Sequence, residues 1–168
     1  TQVGYTESKL NFEVNGNGER KGYTRYGAWY GAPYNDWSAM FISFCLNYAG
    51  ADASQFPLSS GAASMAGLWQ AQGKYIPADK YIPRCGDIVF FNNNTAGIVS
   101  DVFNASFCVI RGDMQNEVRS DVIFFGDASV TGWGITEEES DILQNSPAPE
   151  EAKENSADIS NGPTVQLS

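Results

Sequence analysis

The order of two kinds of apolar pattern constrains this fold more than any other feature of the sequence. Between residues 37 and 49 apolar side chains recur with the period of an α-helix, at Trp37, Met40, Phe41, Phe44, Cys45 and Tyr48. This spacing predicts a helix from Trp37 to Ala49 with one buried face. Asn35 or Asp36 is the expected N-cap, and Gly50 is expected to end the helix.

The second half of the chain has a different pattern. A shorter helix is predicted over Ala62–Gln72, ending at Gly73, and four short runs typical of strands follow it, at residues 87–91, 96–103, 106–110 and 118–125. Short turns separate the four runs, which favours antiparallel pairing. Helices followed by an antiparallel meander predict an α+β domain. Residues Gln2–Tyr5 have the character of the end of a helix whose beginning is missing from this sequence.

Charge and composition divide the 168 residues into two parts. Residues 136–168 hold eight acidic residues and one lysine, which gives −7 of the formal net charge of −10, and they contain no aromatic residue. We interpret this segment as a disordered acidic tail or linker, and residues 1–135 as the folded domain. No basic stripe suggests binding to nucleic acid, and no apolar run is long enough to span a membrane.

The chain has three cysteines, at Cys45, Cys85 and Cys108, and no histidine. The cysteines form no CxxC pair, and their spacing is not that of a disulfide framework. We therefore expect buried free thiols, and we predict neither a bound metal nor another cofactor.

Several local strings are more specific than the order of elements. The chain resembles the CHAP domain (cysteine, histidine-dependent amidohydrolase/peptidase) of bacterial cell-wall hydrolases over residues 3–135. The resemblance is carried by residues 26–31 (YGAWYG), 36–45 (DWSAMFISFC), 83–91 (PRCGDIVFF), 97–99 (GIV), 108–113 (CVIRGD) and 129–134 (SVTGWG). It implies a papain-like CHAP fold, in which N-terminal helices pack on a small antiparallel sheet or half-barrel.

The resemblance also implies where catalytic residues would lie. In the family a cysteine on the first turn of the long helix attacks an amide of peptidoglycan, a histidine on a strand acts as base, and a third polar group orients the histidine. The corresponding positions here are Ser38, Thr95, Arg111 and Asp113, and every one of them is substituted. We therefore expect a domain that does not catalyse the family reaction; the sequence leaves open whether the substitutions are natural or engineered.

The expected function is binding through the inherited cleft. Tyr34, Asp36 and Trp37 are candidate cleft residues, although the helical spacing of Trp37 places it on the buried face and favours a core position. By resemblance the partner would be a peptidoglycan stem peptide or a surface protein, and the location would be secreted or on a bacterial surface.

Three alternatives remain open. The first is an active amidase or endopeptidase with Ser38 as nucleophile and Asp113 as base. The second is a purely structural spacer domain in a larger surface protein. The third concerns Arg111-Gly112-Asp113, which spells the tripeptide that integrins bind.

Overall fold

The structure is a computed structural model that describes residues Gln2–Glu137. In chain order its elements are β1 (Phe12–Val14), β2 (Arg20–Gly22), α1 (Arg25–Tyr30), α2 (Ser38–Tyr48), α3 (Ala62–Ala71), β3 (Tyr75–Pro77), a 3-10 turn (Ala78–Lys80), β4 (Ile88–Phe91), β5 (Ala96–Val102), β6 (Ser106–Arg111), β7 (Arg119–Phe124) and β8 (Val130–Gly134). The predicted acidic tail lies outside the described residues from Glu138 onward.

Six strands form one antiparallel sheet in the order β3-β8-β4-β5-β6-β7, and β1 and β2 form a separate hairpin. The consecutive strands β4, β5, β6 and β7 pair as a meander, whereas β8 returns to pair with β4 and β3. The three helices lie between β2 and β3 in the chain, so they precede every strand of the six-stranded sheet. The α+β class predicted from the sequence is confirmed.

The long helix α2 begins in a way that the sequence did not predict. Its N-cap is Trp37, whose side chain makes no capping hydrogen bond, so the prediction of Asn35 or Asp36 as the cap is wrong. The physical reason is that a distant carboxylate does the capping, since Asp113 Oδ2 accepts from the backbone N–H of Trp37 at 3.0 Å. The other end agrees with the prediction, because Gly50 follows the helix with φ +76°.

The remaining predicted elements agree with the structure to within two residues. Helix α3 ends before Gly73, which has φ +70°, and the four predicted strands correspond to β4, β5, β6 and β7. Helix α1 and the strands β1, β2 and β3 were not predicted, and none of these elements exceeds six residues. The assignment of Gln2–Tyr5 to the end of a helix is wrong, since these residues form a turn in which Gly4 N–H donates to Val118 O.

The sheet is apolar on both faces. Along β4 all four side chains are buried, Ile88 and Phe90 among the residues that pack with the helices and Val89 and Phe91 in a second cluster. That second cluster also contains Val99, Phe107, Val109 and Trp133. The strand is therefore enclosed on both sides, which explains its continuous apolar sequence.

Close packing joins the end of β6 to the start of α2. A Cβ on Gly112 would lie 2.6 Å from Cβ of Phe41 and 3.1 Å from Cε3 of Trp37. Only glycine lets the backbone after β6 come this near to the helix. This contact fixes the position of the residues on either side of Gly112, which are Arg111 and Asp113.

All three cysteines are free thiols, as predicted, but they are less buried than predicted. Cys45 and Cys108 are half-buried, and Cys85 is exposed. Cys85 lies in the turn before β4, where its Sγ donates to Ser100 O at 3.1 Å.

Among the described residues, no helix combines the length and apolarity that crossing a membrane requires.

Candidate functional site

Ser38 is the first residue of α2, and its hydroxyl joins the helix to the sheet. Its Oγ accepts from Ala96 N at 2.9 Å and donates to Ala96 O at 3.2 Å, and the residue is 5% exposed. Ser43, one and a half turns further along the helix, binds Ser59 in the same way, with Oγ accepting from Ser59 N at 3.0 Å and donating to Ser59 O at 2.9 Å. Both serines therefore act as clamps between α2 and a neighbouring segment.

Thr95 and Arg111 are bonded to each other. Arg111 Nη2 donates to Thr95 Oγ1 at 2.9 Å, and Thr95 Oγ1 donates to Asn93 Oδ1 at 2.5 Å. The guanidinium lies 4.0 Å from the ring centroid of Phe91 and, at Nη1, 3.9 Å from Asp121 Oδ2. Burial lowers the pKa of Arg111, and the Asp121 carboxylate opposes that effect. A buried cation thus lies beside Thr95, the position that the resemblance predicts for a base.

Asp113 lies beside the N-terminus of α2 and caps it. It has φ +62°, and its carboxylate accepts from Trp37 N as described above. Burial is the main cause that raises the pKa of Asp113 to about 6; the hydrogen bond from Trp37 opposes the rise, and the charges of Asp36 and Glu7 add to it. The carboxylate is committed to a backbone group, because negative charge at a helix N-terminus is favourable.

Trp37 is fully buried, so the interpretation of this residue as a cleft surface is wrong. Its indole stacks on the Tyr26 ring with centroids 5.4 Å apart, and Nε1 donates to Glu7 Oε2 at 3.3 Å. The alternative from the helical spacing, a core residue, agrees with the structure. A large ring at an N-cap position is buried here because the N-terminal segment covers it.

Tyr34 and Asp36, the other two candidate cleft residues, do line a common cleft. This α2 cleft has a volume of about 290 Å³ and is lined by Asn15, Lys21, Tyr34, Asn35, Asp36, Met40, Ser60 and Asn94. Lys21 Nζ lies 2.7 Å from Asp36 Oδ1, and that hydrogen bond is the main cause that raises the pKa of Lys21. Tyr34 donates its hydroxyl to Asn11 Oδ1 at 2.9 Å.

A second cleft lies between α3 and the sheet. This α3 cleft has a volume of about 340 Å³, and Thr95 lines it together with Ala62, Ala63, Ala66, Gly67, Gln70, Tyr75, Phe90, Phe91 and Thr131. Asn94 connects the two clefts, because it lines the α2 cleft while its Oδ1 accepts from Ala63 N at the start of α3. Its φ of +58° is one that asparagine tolerates.

Sequence reasoning missed Lys21 and Asn94. Lys21 lies in β2, an element too short to be recognised, and Asn94 lies in one of the short turns between the predicted strands. The run of three asparagines was the available signal, since asparagine is enriched where a turn needs left-handed backbone. Nothing local indicated that its side chain reaches a helix.

The four positions that the resemblance selects are brought together, but not as a catalytic set. Ser38 binds the backbone of Ala96, the neighbour of Thr95; Thr95 binds Arg111; and Asp113 binds Trp37, the neighbour of Ser38. Within Gln2–Glu137, the Ser38 hydroxyl makes no hydrogen bond to an ionisable side chain. Arg111 and Gly112 are buried, so the integrin interpretation of the tripeptide is wrong in this structure.

Comparisons with known proteins leave the site to be interpreted from its geometry. No protein-family model, no curated protein and no solved structure matches this chain. Within the described residues no group of three or more histidine, cysteine, aspartate or glutamate side chains could hold a metal ion.

Proposed function

We propose that this chain is a CHAP-like domain on the papain-like scaffold that binds its ligand without hydrolysing it. The proposal rests on the hydrogen bonds of the Ser38 hydroxyl, which accepts from the N–H of Ala96 and donates to its C=O. The equivalent clamp at Ser43 has no place in any catalytic scheme, which supports a structural role for both serines.

Activation of Ser38 would require a base that the geometry does not supply. A serine hydroxyl needs a neighbouring proton acceptor to become a nucleophile, and such assistance contributes about 10²- to 10⁴-fold in rate. The hydroxyl proton is directed at a carbonyl oxygen, which does not take a proton at neutral pH. Arg111 is a cation, and Asp113 is engaged with the backbone of Trp37.

The α2 cleft is the proposed binding surface. It offers a phenol at Tyr34, an amide at Asn94 and a close Lys21–Asp36 ion pair, all of them groups that bind polar peptides. A ligand with both carboxylate and ammonium groups could replace each half of that ion pair. Peptidoglycan stem peptides have this chemistry, and we propose them as ligands in a secreted or surface-attached bacterial protein; a peptide segment of a surface protein is the alternative partner.

The test is a titration of the purified 168-residue chain with soluble muropeptides, followed by isothermal calorimetry or amide chemical shifts. We expect saturable binding. Lys21→Gln should raise the Kd about tenfold, because it removes one charge-assisted contact that contributes roughly 1.4 kcal/mol.

The matched control is Lys80→Gln, because Lys80 also pairs with a carboxylate, that of Asp79 at 3.0 Å, but does not line the α2 cleft. Equal effects of the two substitutions, or no binding by the unsubstituted chain, would contradict the proposal.

A further inference from the structure

The two edges of the six-stranded sheet differ in how they are protected. The β3 edge is three residues long, contains Pro77 and continues directly into the 3-10 turn Ala78–Lys80. These are the devices by which proteins prevent other strands from adding to an edge. The β7 edge has neither a proline nor a lysine, and it extends over six residues.

The exposed face of β7 is apolar. Along β7 the side chains alternate, so that Ser120, Val122 and Phe124 share one face of the sheet. Val122 is 60% exposed and Phe124 is 67% exposed, which leaves two large apolar groups side by side in water. The charged residues of the strand, Arg119 and Asp121, lie on the other face and therefore do not protect this one.

The apolar surface continues beyond the strand. Phe124 also lines a groove of about 850 Å³, together with the exposed side chains of Ile82 and Phe103. Its floor contains the aromatic rings of Tyr81, Phe107 and Trp133. Ile82 is 72% exposed and Phe103 is 56% exposed. We call Ile82, Phe103, Val122 and Phe124 the β7 patch.

The area of the β7 patch matches what a stable interface needs. At about 150–250 Å² for a whole aromatic side chain, and somewhat less for Val and Ile, the four exposed fractions amount to roughly 450 Å² of apolar surface. A standard interface buries about 800 Å² on each partner, of which a little over half, again roughly 450 Å², is apolar. The patch therefore supplies the apolar part of one complete interface.

We propose that a second copy of this chain binds the β7 patch, with β7 of the two copies paired antiparallel about a two-fold axis. The strand suits pairing with itself, because registers centred on Val122 or on Ile123 place Val122 opposite Val122 or Phe124 of the second copy. A register centred on Asp121 is disfavoured, since it sets two carboxylates opposite each other. The interface is isologous, so it closes after two copies.

Sedimentation velocity of the full 168-residue chain tests the proposal over a concentration series up to ~100 µM, a range that detects micromolar self-association. We expect a species of twice the 18.2 kDa chain mass. Val122→Lys places a charge in the middle of the paired edge and should weaken self-association at least tenfold. Leu10→Lys is the matched control, because Leu10 is 94% exposed but lies outside the β7 patch, and it should leave the dimer unchanged.

A second measurement keeps the test independent of how well Val122→Lys folds. Amide hydrogen exchange of the unsubstituted chain should show protection over residues 119–124 that increases with protein concentration, with no such increase over β3. A chain that remains monomeric at the highest concentration overturns the proposal. A dimer that persists in Val122→Lys with unchanged circular dichroism also overturns it.

Discussion

Asp113→Asn isolates the cost of keeping a carboxylate at the start of α2. Asparagine retains an oxygen that accepts from Trp37 N, and it tolerates the φ of +62° at this position, so the substitution removes little besides the charge. The pKa of Asp113 is raised from 3.8 to about 6. That difference of roughly two pH units corresponds to at most about 3 kcal/mol. We expect about 1–2 kcal/mol, because the residue is only half-buried and solvent reduces the penalty.

The sign follows from which state holds the proton more tightly. The folded state binds the proton of Asp113 more tightly than the unfolded state does, so this group favours folding fully below pH 3.8 and loses that contribution as the pH rises through 6. Urea unfolding at pH values from 4 to 8 should therefore show Asp113→Asn to be more stable than the unsubstituted chain above pH 6, with the difference shrinking towards zero near pH 4.

The control is Asp101→Asn, at an exposed position of β5, which should shift stability by less than about 0.5 kcal/mol at any pH. A variant Asp113→Asn that is less stable at pH 7, or whose difference from the unsubstituted chain does not change with pH, would refute the reasoning. The first result would mean that the bond to Trp37 outweighs the cost of burial, and the second that folding does not raise the pKa of Asp113.

Three further predictions concern the packing of the site and its surroundings. Ser38→Ala should lower the free energy of unfolding by about 1–3 kcal/mol in urea, because it leaves the N–H and C=O of Ala96 buried without that partner. Ser43→Ala should have the same effect, because it removes the same two bonds to Ser59. Gly112→Ala should lower the free energy of unfolding by about 1–3 kcal/mol in the same assay, since its Cβ would lie 2.6 Å from Cβ of Phe41. Gly67→Ala should instead raise it by up to about 1 kcal/mol, because Gly67 lies in α3 and a Cβ there would have no neighbour within 4 Å. Burial raises the pKa of Cys45 to about 11, so at pH 8 a thiol reagent should modify the exposed Cys85 well before Cys45, and mass spectrometry of the labelled peptides would contradict this if Cys45 reacted first.

The sequence predicts the elements that carry a long periodic pattern. Strand β6 buries every second side chain, whereas β4 is recognised by a continuous apolar run because both of its faces are buried. The helical spacing locates α2 correctly, but the predicted buried face is wrong at its end: Tyr48 is 68% exposed, and Ile42 and Leu46 are buried. Helix α1 has six residues and β1, β2 and β3 have three each, which is too short for any period to be visible. Their structure comes from contacts with distant parts of the chain, such as the pairing of Tyr75 with Gly134.

The candidate site shows the same division between local and distant information. The positions Ser38, Thr95, Arg111 and Asp113 could be selected from local strings, and the structure brings them to one end of α2. Their bonding could not be predicted, because Asp113 caps a helix whose N-cap residue, Trp37, lies 76 residues earlier in the chain. The cap was assigned to Asn35 or Asp36 for the same reason: sequence patterns recognise capping only by neighbours.

Incubation of the purified chain with purified bacterial cell walls tests the central claim most directly, with mass spectrometry of the soluble fragments. The account predicts that the unsubstituted chain, Ser38→Ala and Ser43→Ala release no more fragments than buffer alone, while the unsubstituted chain still binds muropeptides. Release of new amino termini or free stem peptides by the unsubstituted chain and by Ser43→Ala, but not by Ser38→Ala, would show that Ser38 is a nucleophile and would contradict the account.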